Sequence, residues 1–181
     1  MTSTINILAL AVLPMIGFPS VLAACTGIMG TPVSWLRDSD AVARVRALEE
    51  LGNRRQGSPL QLRDMARATG RDFDTKIRFQ VLEMLKGSGV GGLLEFEGMF
   101  TDRDDRNDAP IPPIFVRMQG RGGNCFAYTY RQGREYLLIL GARNGGLTPY
   151  WQALAATNEQ LSDANDQWLG WVRAQLQNSQ R

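Results

Sequence analysis

The stretch Gly120–Gly141, GRGGNCFAYTYRQGREYLLILG, constrains this chain more than any other. Cys125, Phe126, Tyr128 and Tyr130 make an aromatic-rich segment, and Arg131-Gln132-Gly133-Arg134 a short glycine-containing turn. Tyr136 to Leu140 is an apolar run too short for an independent helix. Together they predict a β-hairpin. It carries one of only two cysteines, and the other, Cys25, follows an apolar N-terminal run. The hairpin is therefore where the beginning of a processed chain could be tied down.

That run, Ile5 to Phe18, is shorter than the ~20 residues a bilayer span needs, contains Pro14 and is followed by small residues. It reads as a signal peptide over residues 1–24, which places the remainder in an exported compartment, periplasmic or extracellular. Leu22-Ala23-Ala24-Cys25 satisfies both a lipobox, in which Cys25 is acylated and anchors the protein to a membrane, and the small-residue rule of ordinary signal peptidase. In an oxidising compartment, lipid on Cys25 leaves Cys125 an odd thiol, whereas a Cys25–Cys125 disulfide leaves none. The disulfide is the favoured reading, and the lipoprotein stays open beside it.

Residues 25–181 suffice for one domain with its own core. Plentiful glycine (19) and proline (8) with moderate charge is globular composition. Arginine supplies nearly all the positive charge, Lys76 and Lys86 being the only lysines, but acids balance it to a net +2, so nucleic-acid binding has no compositional support. Histidine is absent, which removes Ser-His-Asp and Cys-His catalysis and the commonest zinc ligand. An enzyme would have to use carboxylate pairs such as Glu95 and Glu97, but alternate acids on a strand are ordinarily its solvent face. No catalytic residue, cofactor or metal is assigned.

Along the chain, Asp40 to Leu51 is ambiguous. Helix formers, Val42, Val45, Leu48 and Leu51 at every third residue and Gly52 at the end fit a helix, while alternation of Ala41, Ala43, Val45 and Ala47 fits a strand. Residues 53–72 are a polar insertion with a short helix from Ser58 to Gly70. Asp74 to Lys86 alternates as a half-buried strand, and after the Gly87–Gly92 turn Leu93 to Phe96 is its hairpin partner. Asp102 to Asp108, DRDDRND, gathers oxygen ligands but fails the calcium-loop template, so it reads as a solvated charged loop. Pro110, Pro112 and Pro113 stiffen an extended approach to Ile114–Val116. Asn144-Gly145-Gly146 is a turn before a short edge strand, Leu147 to Trp151, and a C-terminal amphipathic helix over about 164–177 buries Trp168 and Val172.

The order of these parts resembles the netrin-like domain, the family of the N-terminal domains of tissue inhibitors of metalloproteinases. The matching features are the cysteine at the mature N-terminus, Asp40-Ala41-Val42, Phe79 to Gly87 (FQVLEMLKG), Cys125, and Gly133 to Leu140 (GREYLLIL). The resemblance implies a mainly β, α+β fold: a small OB-like five-stranded barrel with helices outside, and Asp40 to Leu51 as strand. It implies that Cys25 and Cys125 form the disulfide, that the Cys25 amine and carbonyl chelate a protease's zinc, and that Thr26 enters its specificity pocket. Gly27 replaces the family's next cysteine, and the later partner cysteine is missing near Leu147 to Trp151. The expectation is therefore an exported, non-enzymatic binding or structural module whose partner is another protein, a protease or an envelope component. Metalloprotease inhibition through Cys25 and a lipid-anchored envelope role are the alternatives.

Overall fold

A computed structural model of the protein describes residues 31–52, 75–88, 91–107, 117, 129–143, 145–149, 151–152, 155–156 and 158–179. These form a mainly β, α+β structure. Helix α1 spans Pro32–Asp38 and is followed by strand β1, Ala41–Gly52, and strand β2, Thr75–Lys86. Next come β3 (Leu93–Glu97), β4 (Met99–Phe100), β5 (Thr129–Tyr130), β6 (Glu135–Arg143) and β7 (Gly146–Pro149). The short strands β8 (Trp151–Gln152), β9 (Ala155–Ala156) and β10 (Asn158–Gln160) precede helix α2, Gln167–Asn178. The main sheet runs β10-β6-β1-β2-β3, all antiparallel, with β7 also on β6.

Strand wins at β1 because both its edges are taken. Residues 41–46 pair with β6 while 42–52 pair with β2, and register shifts at Val42/Ala43, Arg44/Val45 and Ala47/Glu49 bend the strand. Ala41, Ala43, Val45 and Ala47 bury one face completely, so pairing and burial override the local helix preference. The hairpin of β2 and β3 is as expected, with Phe79 opposite Leu94 and Ile77 opposite Phe96. Gly87 turns at φ 82°, and a Cβ there would lie 2.7 Å from the Asp40 carbonyl oxygen, so only glycine fits.

The other hairpin differs from expectation. The Arg131–Arg134 turn is present with Gly133 at φ 75°, and it is fastened to β1 by Gly133 N–H to Ala47 O (2.8 Å) and Ala47 N–H to Arg134 O (3.0 Å). The described end of the first arm, β5, does not pair with β6. It pairs in parallel with β4, Met99 opposite Thr129 and Phe100 opposite Tyr130, because β6 is already flanked by β1 on one edge and by β10 and β7 on the other. Nor, among the described residues, does the sheet close into a barrel: β3 remains one edge, and β10 and β7 share the other.

Two cores lie on opposite faces of the sheet. On one, Val42, Leu137 and Ile139 meet Trp35 and Leu36 of α1, Leu161, and Trp168, Leu169 and Val172 of α2. Helix α1, unforeseen in the sequence, starts from a Thr31 cap with Pro32 in the first turn and Ser34 completing a capping box. Its last carbonyls are capped by the Lys86 ammonium, which donates to Leu36 O (2.8 Å), Arg37 O (2.7 Å) and Ser39 O (2.5 Å). Helix α2 lies where the sequence predicts it, with Asp166 as N-cap. The second core centres on Phe79, Tyr130 and Tyr136, whose rings meet edge to face at 4.9 Å (Phe79–Tyr130) and 5.0 Å (Tyr130–Tyr136). The expected helix at 58–70 and the extended segment at 110–116 lie outside the described residues.

Candidate functional site

Cys25, Thr26 and Cys125, the residues singled out by the sequence, lie outside the described residues. Two other features stand out.

The first is a buried ionic centre at the end of the aromatic core. Arg117 has no exposed surface, and its guanidinium is 4.9 Å from the Tyr130 ring centre and 5.2 Å from that of Tyr136. Its Nε donates to Asn158 Oδ1 (2.7 Å) and its Nη1 to the Thr129 carbonyl (2.6 Å), with Asp105 Oδ2 3.6 Å away. Glu159, also fully buried, accepts from Asn107 Nδ2 (2.8 Å), and Gln160 Oε1 accepts from the Asp105 N–H (2.7 Å).

The acidic loop is therefore not the solvated loop its composition implies. Asp105 and Asn107 are buried, whereas Asp102 and Arg103 are exposed. The reason is the alternation of the segment, which runs beside β10 with Arg106 bridged in parallel to Gln160 and sends alternate side chains inward. Among the described residues no cluster of Cys, Asp or Glu is arranged to hold a metal ion.

The chemistry of this centre is that of a clamp. Burial pushes the Tyr130 hydroxyl up to about 12 against the opposing pull of the Arg117 charge. It raises Tyr136 too, whose oxygen accepts the Arg131 N–H at 2.7 Å. Both phenols thus stay protonated near neutrality, and a guanidinium without exposed surface cannot touch a substrate. Instead Arg117 ties β5, β10 and the 101–107 loop to the core, which costs the desolvation of a charge and offsets it with directional bonds.

The second feature is a cleft of about 650 Å3 between the two sheet edges, lined by Leu93, Leu94 and Phe96 from β3 and by Ala142, Gly146 and Leu147 from the β6–β7 turn region. Asp40 also lines it, with Oδ2 accepting the Ala142 N–H at 2.6 Å. Leu93 is 54% exposed there. Glu95 is on the solvent side and ion-paired to Arg78, as an alternate strand acid should be, with Glu49 on the same guanidinium.

Sequence reasoning missed the ionic centre entirely. Asn158-Glu159-Gln160 offers no apolar residue and reads as a loop, and Arg117 is one arginine among many. The only local sign was Leu161, whose N–H extends the pairing of β10 to Glu135 O at 2.9 Å. Compared with models of known protein families and with curated proteins, the chain matches none.

Proposed function

We propose that the chain is an exported, non-enzymatic binding or structural module of netrin-like, OB type, whose partner is another protein. The observation that carries this reading is that β3, at one edge of the β10-β6-β1-β2-β3 sheet, and β7, paired to β6 at the other, line one cleft. A partly open five-stranded barrel has such an arrangement, with its first strand bent so that it serves two neighbours. The three register shifts of β1 supply that bend, and α1 and α2 pack outside. Exposed edges and the apolar side chains of Leu93 and Leu94 in the cleft suit the addition of an extended segment of a partner.

The N-terminal part of the reading rests on the resemblance and on the two cysteines. A signal peptide ending at Ala24 and a Cys25–Cys125 bond would place the mature N-terminus, with Thr26, beside the turn before β6. Intact mass of the protein recovered from the exported fraction, with and without reductant, tests this. A chain beginning at Cys25 and lighter by a pair of hydrogens before reduction is expected. Recovery of unprocessed protein from the cytosol would overturn the export reading, and an acylated Cys25 would replace it with the lipid-anchored one. A free Cys25 amine beside an intact bond would make zinc-metalloprotease inhibition the next assay.

A further inference from the structure

We propose that Arg106, Arg131 and Arg134, gathered around Asp104, form a binding site for a phosphate group. The three side chains come from two backbone segments that are fixed independently. The 101–107 loop is held to β10 through Asp105 and Asn107, which leaves Asp104 and Arg106 on its outer side. Arg131 and Arg134 flank the turn at Gly133 that is bonded to Ala47 of β1. Each arginine side chain is roughly two-fifths exposed: 44% for Arg106, 38% for Arg131 and 39% for Arg134.

Asp104 marks the focus of the site but does not saturate it. One of its oxygens accepts from Arg131 Nη1 at 2.8 Å, and the other accepts from Gln160 Nε2 at 2.5 Å. Arg134 Nε stands 3.4 Å and Arg106 Nη2 4.0 Å from the carboxylate. Among the described residues neither of those two side chains makes a hydrogen bond beyond these long ion pairs with Asp104, so their partly exposed guanidinium groups keep donors for a ligand. Three guanidinium charges against one carboxylate leave two positive charges. Asp102 and Arg103 of the same loop cancel, Glu135 is engaged by Arg44 and Arg46, and Asp105 is committed to Arg117.

A phosphomonoester carries nearly two negative charges at neutral pH and three acceptor oxygens that guanidinium forks match, whereas a carboxylate offers one charge and two oxygens. The surplus charge and the spread of the donors therefore favour phosphate. The site supplies a ligand class that the binding reading leaves open. It uses neither the cleft nor Cys25, so its failure would leave that reading standing.

Titration of the labelled protein with inorganic phosphate, followed by NMR, tests the site. Phosphate is expected to shift the Gly133 amide and the Nε signals of the three arginines, with an affinity that falls as sodium chloride is added. Arg106→Gln, at a side chain without a hydrogen bond to lose, should weaken binding several-fold with an unchanged thermal melt. The Arg131→Gln/Arg134→Gln pair should abolish it. Asp104→Asn should strengthen binding, by about tenfold, because it removes the resident competitor charge. Phosphatidic acid vesicles added to the same proteins separate the sources. Co-sedimentation of the wild type that is lost with the arginines identifies a lipid headgroup, and phosphate binding without co-sedimentation identifies a soluble ligand. No shift with phosphate, shifts that survive loss of the arginines, or an Asp104→Asn protein that binds no better would overturn the proposal.

Discussion

Both faces of β6 are packed with apolar side chains, but only one of them adds a buried ionic centre. Leu137 and Ile139 look into a core of Trp35, Leu36, Trp168, Leu169 and Val172, where contact is apolar and non-directional. On the other face Leu138 and Leu140 join a second apolar core, but Tyr136 there also adjoins Arg117, and through it Asp105, Asn158 and the Thr129 carbonyl, contacts that have a required angle and sign. The comparison teaches that the helices seal the sheet while the buried arginine specifies how the short strands and the acidic loop lie on it. Shape-conserving changes should be tolerated on the first face, and loss of a single partner should not be on the second.

The largest effect is expected at Arg117. Arg117→Leu strands a buried carboxylate and should cost about 3–5 kcal/mol in denaturant unfolding. Arg117→Lys should recover only part of that, because an ammonium cannot reproduce the fork or stack on both rings. Trp168→Ala should cost a comparable amount, about 3–5 kcal/mol, but Trp168→Phe should restore most of it, since the side chains packed around it are apolar. Equal tolerance of the conservative changes on both faces would break the comparison.

A difference in pH response sharpens it. Tyr130 has a raised hydroxyl in the folded protein because it is buried, so its folded form favours the proton. Its contribution is fully present below the ordinary tyrosine value near 10 and is lost as pH rises from there through about 12, a loss of roughly 2–3 kcal/mol. Stability should fall across that window, and Tyr130→Phe should flatten the fall. Trp168→Ala removes no titratable group and lies on the other face, so it should leave the slope unchanged.

Smaller effects are expected at the surface. Asp166 caps α2 by accepting from Trp168 N–H (2.8 Å) and also holds Ser162 N–H (2.8 Å) and Oγ–H (2.9 Å). Asp166→Ala should cost about 1 kcal/mol in a thermal melt. Arg78→Ala should leave the melting temperature unmoved, because its pairs with Glu49 and Glu95 are exposed and screened.

What was legible in the sequence was what depends on period and punctuation. The β2–β3 hairpin, the turn at Gly133, the edge strand with Pro149 and helix α2 all carry local signals, and the structure places each where those signals fall. For β1 the local signals favoured helix and only permitted a strand, and the netrin-like pattern pointed to strand. The physical reason is pairing with both β2 and β6, a long-range effect that no window around Asp40 to Leu51 contains. The ionic centre was illegible for the same reason. Arg117, Asp105 and Asn158 are separated by up to 53 residues in sequence, and burial of polar side chains has no periodic signature until their partners are known. β5 was misassigned because the aromatic residues before the turn favour a strand but do not choose its neighbour.

The claim on which the account turns is that Arg117 and Asp105 act together as a clamp rather than as two independently buried groups. A double-mutant cycle with Arg117→Leu and Asp105→Asn, read by urea unfolding, tests it most directly. The double variant should be more stable than the sum of the single losses implies, with a coupling of about 1–3 kcal/mol, because removing both charges leaves neither stranded. Losses that add to within about 0.5 kcal/mol would contradict it.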